Sequence, residues 1–240
     1  MKILIIIPTY NEKENIKNLV YFILSLKEKL DVLIVDDNSP DGTGVVADEI
    51  SRENKNIFVI RRPQKQGLGR AYVEGFKFAL KNQYDIAVQM DADFSHDPAH
   101  IKNFLIAIET NDLVIGSRYL RGINILHWPL KRLIISKLGN FYARTILRIP
   151  LTDFTSGYKC ISKRVLQKID LDSIHSSGYS FQIEFNFLAY KAGFKIKEIE
   201  IIFTERSEGK SKMSKKIAWE AAWIVLGLKL KELASLFAKI

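Results

Sequence analysis

The sequence predicts an α/β fold in which helices cover both faces of a mostly parallel sheet. Three observations carry that expectation. Apolar runs rich in β-branched residues recur through the first half of the 240 residues, segments with helical spacing alternate with them, and polar residues gather just after the runs. Strands buried on both faces read as continuous apolar runs. Strands alternating with helices on short connections form a parallel sheet, and ligands bind beyond the carboxyl ends of its strands.

The elements follow in order. Ile3 to Ile7 is the first strand, stopped by Pro8. Asn11 with Glu14 three residues on makes a capping-box-like start for a helix reaching about Lys29, with Ile16, Leu19, Val20, Ile23 and Leu24 on one face. Val32 to Val35 is the second strand, Val45 to Ile50 a helix, and Ile57 to Ile60 the third strand. Gly67-Leu68-Gly69 opens a helix from Arg70 to about Lys81, either as a phosphate cradle or as a plain helix-opening turn. Asp85 to Gln89 is the fourth strand, Asp97-Pro98 caps a helix to Glu109, and Leu113 to Ile115 is the fifth strand. Beyond it come a turn cluster at 152–157, a short strand at Tyr158 to Ile161, a helix from Phe181 to Ala192 and a strand from Ile196 to Phe203. A basic, glycine-containing loop at 205–212 leads into a last helix from Ser214 to Ile240.

Composition fits one catalytic-size domain at 1–213, with 214–240 as an amphipathic helix beyond it. The net charge of +9 points to a polyanionic partner. Cys160 is the only cysteine, which excludes an intrachain disulfide and a cysteine metal cluster and suits a reducing compartment. No apolar run approaches the ~18 residues that span a bilayer. From Leu113 to Thr152 there is no acidic residue, and the segment 128–148 combines Trp128, Lys131, Arg132, Lys137, Arg144 and Arg148 with helical apolar spacing. Such a helix either lies on an anionic membrane surface or packs on the core with a solvated basic face. All three tryptophans fall in this segment and the last helix, as Trp128, Trp219 and Trp223. With no RNA-binding motif, no nucleic-acid partner is expected.

The polar residues at the strand ends are Thr9, Tyr10, Glu12, Asp36, Asp37, Asp91, Asp93 and Arg118. Asp91 and Asp93 flank Ala92 just past the fourth strand, so in extended backbone both carboxylates face one way. They either hold a hard divalent cation, which takes carboxylate and phosphate oxygens, or form a solvated acidic turn. A nucleoside diphosphate suits the pair, with Asp37 or Glu12 accepting hydrogen bonds from ribose or base. Neither the dinucleotide-binding glycine motif nor the nucleoside-triphosphate phosphate loop is present, which argues against those classes. His96 and His100 stand four apart and are read as capping or surface residues rather than ligands.

Five stretches carry a resemblance: residues 7–12 (Ile-Pro-Thr-Tyr-Asn-Glu), 35–43, 67–71, 90–96 (Met-Asp-Ala-Asp-Phe-Ser-His) and 206–212. On these the chain resembles the GT-A-fold glycosyltransferases of family 2, and among them the polyprenol-phosphate (dolichol-phosphate) mannosyltransferases. The resemblance implies transfer of mannose from GDP-mannose to a dolichyl or polyprenyl monophosphate with inversion, using Mg²⁺ or Mn²⁺. It implies that Pro8, Tyr10, Glu12, Val35 and Asp37 hold the nucleoside, and that Asp91, Ala92, Asp93 and Ser95 hold metal and diphosphate, with Asp93 a direct ligand. Arg118, Arg132 and Ser136 would bind the acceptor phosphate, and Arg206 and Lys212 would close over the donor. It also implies a peripheral place on the cytoplasmic face of a membrane, with room for a separate anchoring subunit. Lys159 departs from the pattern, standing where such proteins often carry arginine. The rival expectations are glucosyl transfer from UDP-glucose and a non-enzymatic basic module that binds membranes.

Overall fold

The structure, a computed structural model, describes residues 1–174, 176–204 and 215–237. A seven-stranded sheet has the order β3-β2-β1-β4-β7-β5-β8, built from β1 (Ile3–Thr9), β2 (Leu30–Asp36), β3 (Ile57–Arg61), β4 (Ile86–Gln89), β5 (Leu113–Ser117), β7 (Lys159–Ser162) and β8 (Ile196–Glu200). All neighbours are parallel except β7, which runs antiparallel between β4 and β5. Two short strands, β6 (Ile125–Leu126) and β9 (Phe203–Thr204), pair apart from the main sheet.

Alternation along the strands explains the two layers. Ile3, Ile5 and Ile7 face one side, where they pack with α1 (Lys13–Ser25), α2 (Thr43–Glu53) and α4 (Ile101–Ile108). Leu4 and Ile6 face the other, with α3 (Leu68–Lys81), α5 (Leu130–Leu147), α6 (Lys163–Lys168) and α7 (Gly178–Lys191). The last helix, α8 (Lys215–Phe237), sends Val225 and Leu228 into that second core and packs on α5 and α7. Among the described residues, no helix is long and apolar enough to cross a membrane.

Several expectations are corrected. Asn11 and Glu14 form no capping box: Asn11 sits at φ +61°, Glu12 is the N-cap, and no side chain of the helix caps it. The loop after β2 does so instead. Thr43 Oγ1 accepts from the Glu12 N–H at 2.9 Å, Asp41 from Lys13 at 3.2 Å, and Ser39 from Asn11 at 3.1 Å. The same helix ends at Ser25, short of Lys29, where Leu26 turns extended. The expected strand from Ile196 to Phe203 divides into β8 and β9, because Phe203 leaves the main sheet to pair with Ile125. Asp97 does cap by accepting from Ala99, but it opens a single 3₁₀ turn before α4.

Candidate active site

A cleft of about 420 Å³ opens at the carboxyl ends of β1, β2 and β4. Pro8, Tyr10, Glu12, Asp37, Asp91, Ala92, Asp93, Ser95 and Arg132 line it, as do Gly67, Thr155, Gly157, Ser177, Gln182, Phe203 and Glu220. Strand register brings the first group together. Thr9 pairs with Asp36 across β1 and β2, Thr9 Oγ1 donates to Asp36 at 3.0 Å, and Asp37 N donates back to the Thr9 carbonyl at 3.0 Å. Asp36 is wholly buried and organises this loop, also accepting from Ser39 N and Oγ. Asp37 is therefore the one left at the cleft wall, where it accepts from Arg62 at 2.5 Å and from Gly67 N at 3.0 Å. Each carboxylate oxygen keeps lone-pair capacity for a ligand. The Lys65 amine lies 3.4 Å from the Tyr10 ring centroid at the cleft mouth.

The Asp91–Asp93 loop is held from several sides. Ser95 donates to Asp93 Oδ1 through both N (3.1 Å) and Oγ (2.6 Å). Between them Phe94 takes φ +58°, a left-handed conformation that costs a non-glycine residue ~1–2 kcal/mol. Tyr72, fully buried, donates to Asp91 at 3.4 Å, and burial together with Asp91 and Asp93 pushes its phenol well above the usual value, so it stays a donor. His96 is buried and stacks on Tyr158 at 4.9 Å. Burial lowers its pKa against the pull of Asp91 and Asp93, and its neutral Nδ1 accepts from the Asp91 N–H at 3.2 Å. Its role is structural, and its burial corrects the expectation of a capping or surface residue. Asp91 and Asp93 thus present hard oxygen donors on one partly exposed wall. That donor set fits a divalent cation taking its remaining ligands from a diphosphate; among the described residues no cluster of three ligating side chains forms.

The structure separates the other expected residues. Val35 is buried inside β2 and does not line the cleft. Arg132 lines its mouth, with its guanidinium 3.9 Å from the Trp128 ring centroid. Ser136, one turn on, accepts from Tyr119 Oη at 2.8 Å. Arg118 is 3% exposed and engaged within the protein. Its Nε and Nη2 donate to Asp153 at 2.7 Å each, and Nη2 also donates to Thr155. Burial lifts the Asp153 pKa, but the Arg118 charge and hydrogen bonds more than offset this and hold it below the usual range. The pair thus fixes the loop that lines the cleft opposite Asp91. Of the two readings left open for its segment, Trp128 fits the packed one, because its ring packs on Arg132 and edge-on against Phe203. Arg206 and Lys212 lie outside the described residues.

Sequence reasoning missed the floor. Gln89 Nε2 donates to the Gly157 carbonyl at 3.0 Å and to Gln182 Oε1 at 2.8 Å. Lys159, wholly buried, donates to that same Gln182 oxygen. A Cβ on Gly157 would come 3.4 Å from both Asp91 carboxylate oxygens, so the floor lies directly against Asp91. Gln89, the one polar residue of β4, was the available signal, whereas Gln182 shares α7 with Ser180, Glu184 and Asn186 and does not stand out. Gly67-Leu68-Gly69 is a packing turn. Gly67 has φ +95° and gives its N–H to Asp37, while a Cβ on Gly69 would stand 2.4 Å from the Ser176 carbonyl.

A carboxylate-lined cleft at the ends of parallel strands, with cations at its mouth, is the arrangement of a nucleotide-sugar-dependent transferase. Residues 4–170 match the family described as glycosyl transferase family 2; the chain belongs to that family and is a glycosyltransferase. Its relatives narrow the class. It is 45% identical over 221 residues to an undecaprenyl-phosphate mannosyltransferase of Micrococcus luteus, covering 92% of this chain and 91% of that one. It is 44% identical over 213 residues to a polyprenol monophosphomannose synthase of Mycolicibacterium smegmatis, covering 88% and 80%. Among solved structures, glucosyl-3-phosphoglycerate synthase of Mycobacterium tuberculosis in complex with phosphoglyceric acid shares the fold, with a TM-score of 0.68 at 15% identity over 95% of this chain and 79% of that one.

Proposed function

We propose that the protein transfers mannose from GDP-mannose to a polyprenyl or dolichyl monophosphate, with inversion at the sugar's C1. One juxtaposition supports this reading most directly. The carboxylate cleft opens at Arg132 near the start of α5, and α5 and α8 beside it expose Leu130, Leu138, Phe141, Trp219, Trp223 and Leu230, each 62% or more accessible. An anionic headgroup at Arg132 with an apolar tail along those helices is the shape of a lipid phosphate. The names of the two relatives point to the same acceptor class.

The chemistry asks little of the protein's acids and bases. The acceptor phosphate is an anion at neutral pH, so its oxygen attacks C1 without a general base while the bond from C1 to the diphosphate oxygen breaks and GDP leaves. The chain's task is positioning. Pro8, Tyr10, Glu12 and Asp37 would hold the nucleoside, with Val35 contributing only through its strand. Asp91 and Asp93, spaced by Ala92 and braced by Ser95, would hold Mg²⁺ or Mn²⁺ at the diphosphate. A bound cation supplies positive charge against the departing diphosphate. Arg132 and Ser136 share a helix face and would meet the acceptor phosphate, with Arg118 acting through Asp153 and Thr155. Arg206 and Lys212 are assigned to the donor phosphates on the sequence resemblance alone. The enzyme would work at the cytoplasmic face of a membrane as a peripheral protein.

The test is transfer itself. With one polyprenyl phosphate, GDP-mannose should give labelled lipid and UDP-glucose should not; preferential use of UDP-glucose would overturn the donor assignment. Arg132→Ala should raise the KM for lipid phosphate about tenfold or more while leaving GDP affinity nearly unchanged. Loss of GDP binding alone would move the acceptor site elsewhere.

A further inference from the structure

Phe203 opens β9 and lines the cleft, and three side chains converge on its ring. His96 meets it edge-on at 5.6 Å and 72°, Trp128 meets it edge-on at 5.6 Å and 75°, and the Arg118 guanidinium lies 5.5 Å from its centroid. The backbone is tied on both sides as well. Phe203 N donates to the Asn124 carbonyl at 2.9 Å, Phe203 bridges to His96, and Thr204 N donates to the Ser95 carbonyl at 3.4 Å.

What stands behind each ring gives the contact its meaning. His96 accepts the Asp91 N–H, so the imidazole sets the backbone of the carboxylate pair. Trp128 carries the Arg132 guanidinium on its face. A single phenyl ring therefore separates the group behind the donor-side carboxylates from the group behind the acceptor-side cation. Closely packed rings transmit strain to one another, and edge-to-face pairs hold a defined geometry.

We propose that Phe203 is a positioning residue that couples the two sides of the cleft, so that a nucleotide seated at Asp91 and Asp93 sets Arg132 for the acceptor phosphate through His96, the Phe203 ring and Trp128. The inference rests on the donor and acceptor assignments made above.

Such coupling is a measurable free energy, not a matter of adjacency. The affinity of the full chain for a short-chain polyprenyl phosphate is measured by calorimetry with and without GDP and Mg²⁺, a pair that cannot react. In the wild type, the acceptor should bind about fivefold tighter or more with the nucleotide present. Phe203→Leu should bring that ratio below about twofold while the affinity for each ligand alone stays within about twofold and the melting temperature stays near wild type. Phe203→Met should do the same if the leucine variant folds poorly, and Phe203→Tyr, which restores the ring edges, should recover the ratio. A wild type that transfers mannose but shows no coupling, or aliphatic variants that keep the full ratio, overturn the inference and leave the enzymatic reading standing. A wild type that transfers nothing overturns the reading itself.

Discussion

Lys159 is wholly buried below the cleft floor, and among the described residues no carboxylate pairs with it. Burial pushes its pKa well below the ordinary lysine value, and the distant Asp153 charge recovers only part of that shift. The unfolded chain therefore binds the proton that the folded chain sheds, so stability rises with pH between the depressed value and the ordinary ~10.4. Lys159→Met removes the titration. The wild-type melting temperature should gain on that of the variant as pH goes from about 7 to about 9; parallel profiles would mean that the amine is charged in the fold. At the cleft wall the expectation is larger. Asp93→Ala should lower transfer by about two orders of magnitude or more, and a melting temperature near that of the wild type would show that the loss lies in the chemistry and not in the fold. Chelation should abolish transfer in the wild type, with Mg²⁺ or Mn²⁺ restoring it, and transfer that survives chelation would sink the metal assignment.

Among the elements, α3 meets the loop before α7 at Gly69, where a Cβ would press on the Ser176 backbone at 2.4 Å. Gly69→Ala should cost ~1–3 kcal/mol, read as a lowered midpoint in urea; an unchanged midpoint would show that the loop yields freely. The legibility of the elements follows from the range of their causes. β1 to β5 could be read because each is a local apolar run, and the Asp91–Asp93 pair because it follows such a run directly. The cap of α1 could not, since its acceptors come from Ser39, Asp41 and Thr43, 28 to 31 residues away. β6 and β9 are two residues each and leave no periodicity to detect. The pairing of Arg118 with Asp153 could not be read either, because nothing local reveals a partner 35 residues on. The packing of Trp128 was left open because it precedes α5 and its partner Phe203 lies 75 residues on.

For the whole molecule, charge and apolarity meet on one side. The exposed apolar residues of α5 and α8 include Ile134, Leu138, Phe141, Trp219, Trp223 and Leu230, beside exposed Lys131, Lys137, Arg144 and Arg148. A contiguous apolar face of this kind marks an interaction surface, and the basic flank favours an anionic bilayer. The protein should sediment with vesicles containing acidic lipid and less so as salt rises. The double substitution Trp219→Ser and Trp223→Ser should weaken binding about tenfold or more, because each indole contributes over ~1 kcal/mol when immersed. Unchanged sedimentation would place the contact on another face.

The antiparallel β7 sets an order for synthesis. Its four residues, Lys159–Ser162, fill the gap between β4 and β5, so those two strands have no partner on their facing edges until residue 162 has left the ribosome. A chain emerges amino end first. The three strands β1 to β3 and their helices can therefore settle early, while β5 and the apolar α5 wait with open edges and exposed faces. For them the interval closes only later, when β8 pairs with β5 and α8 packs on α5.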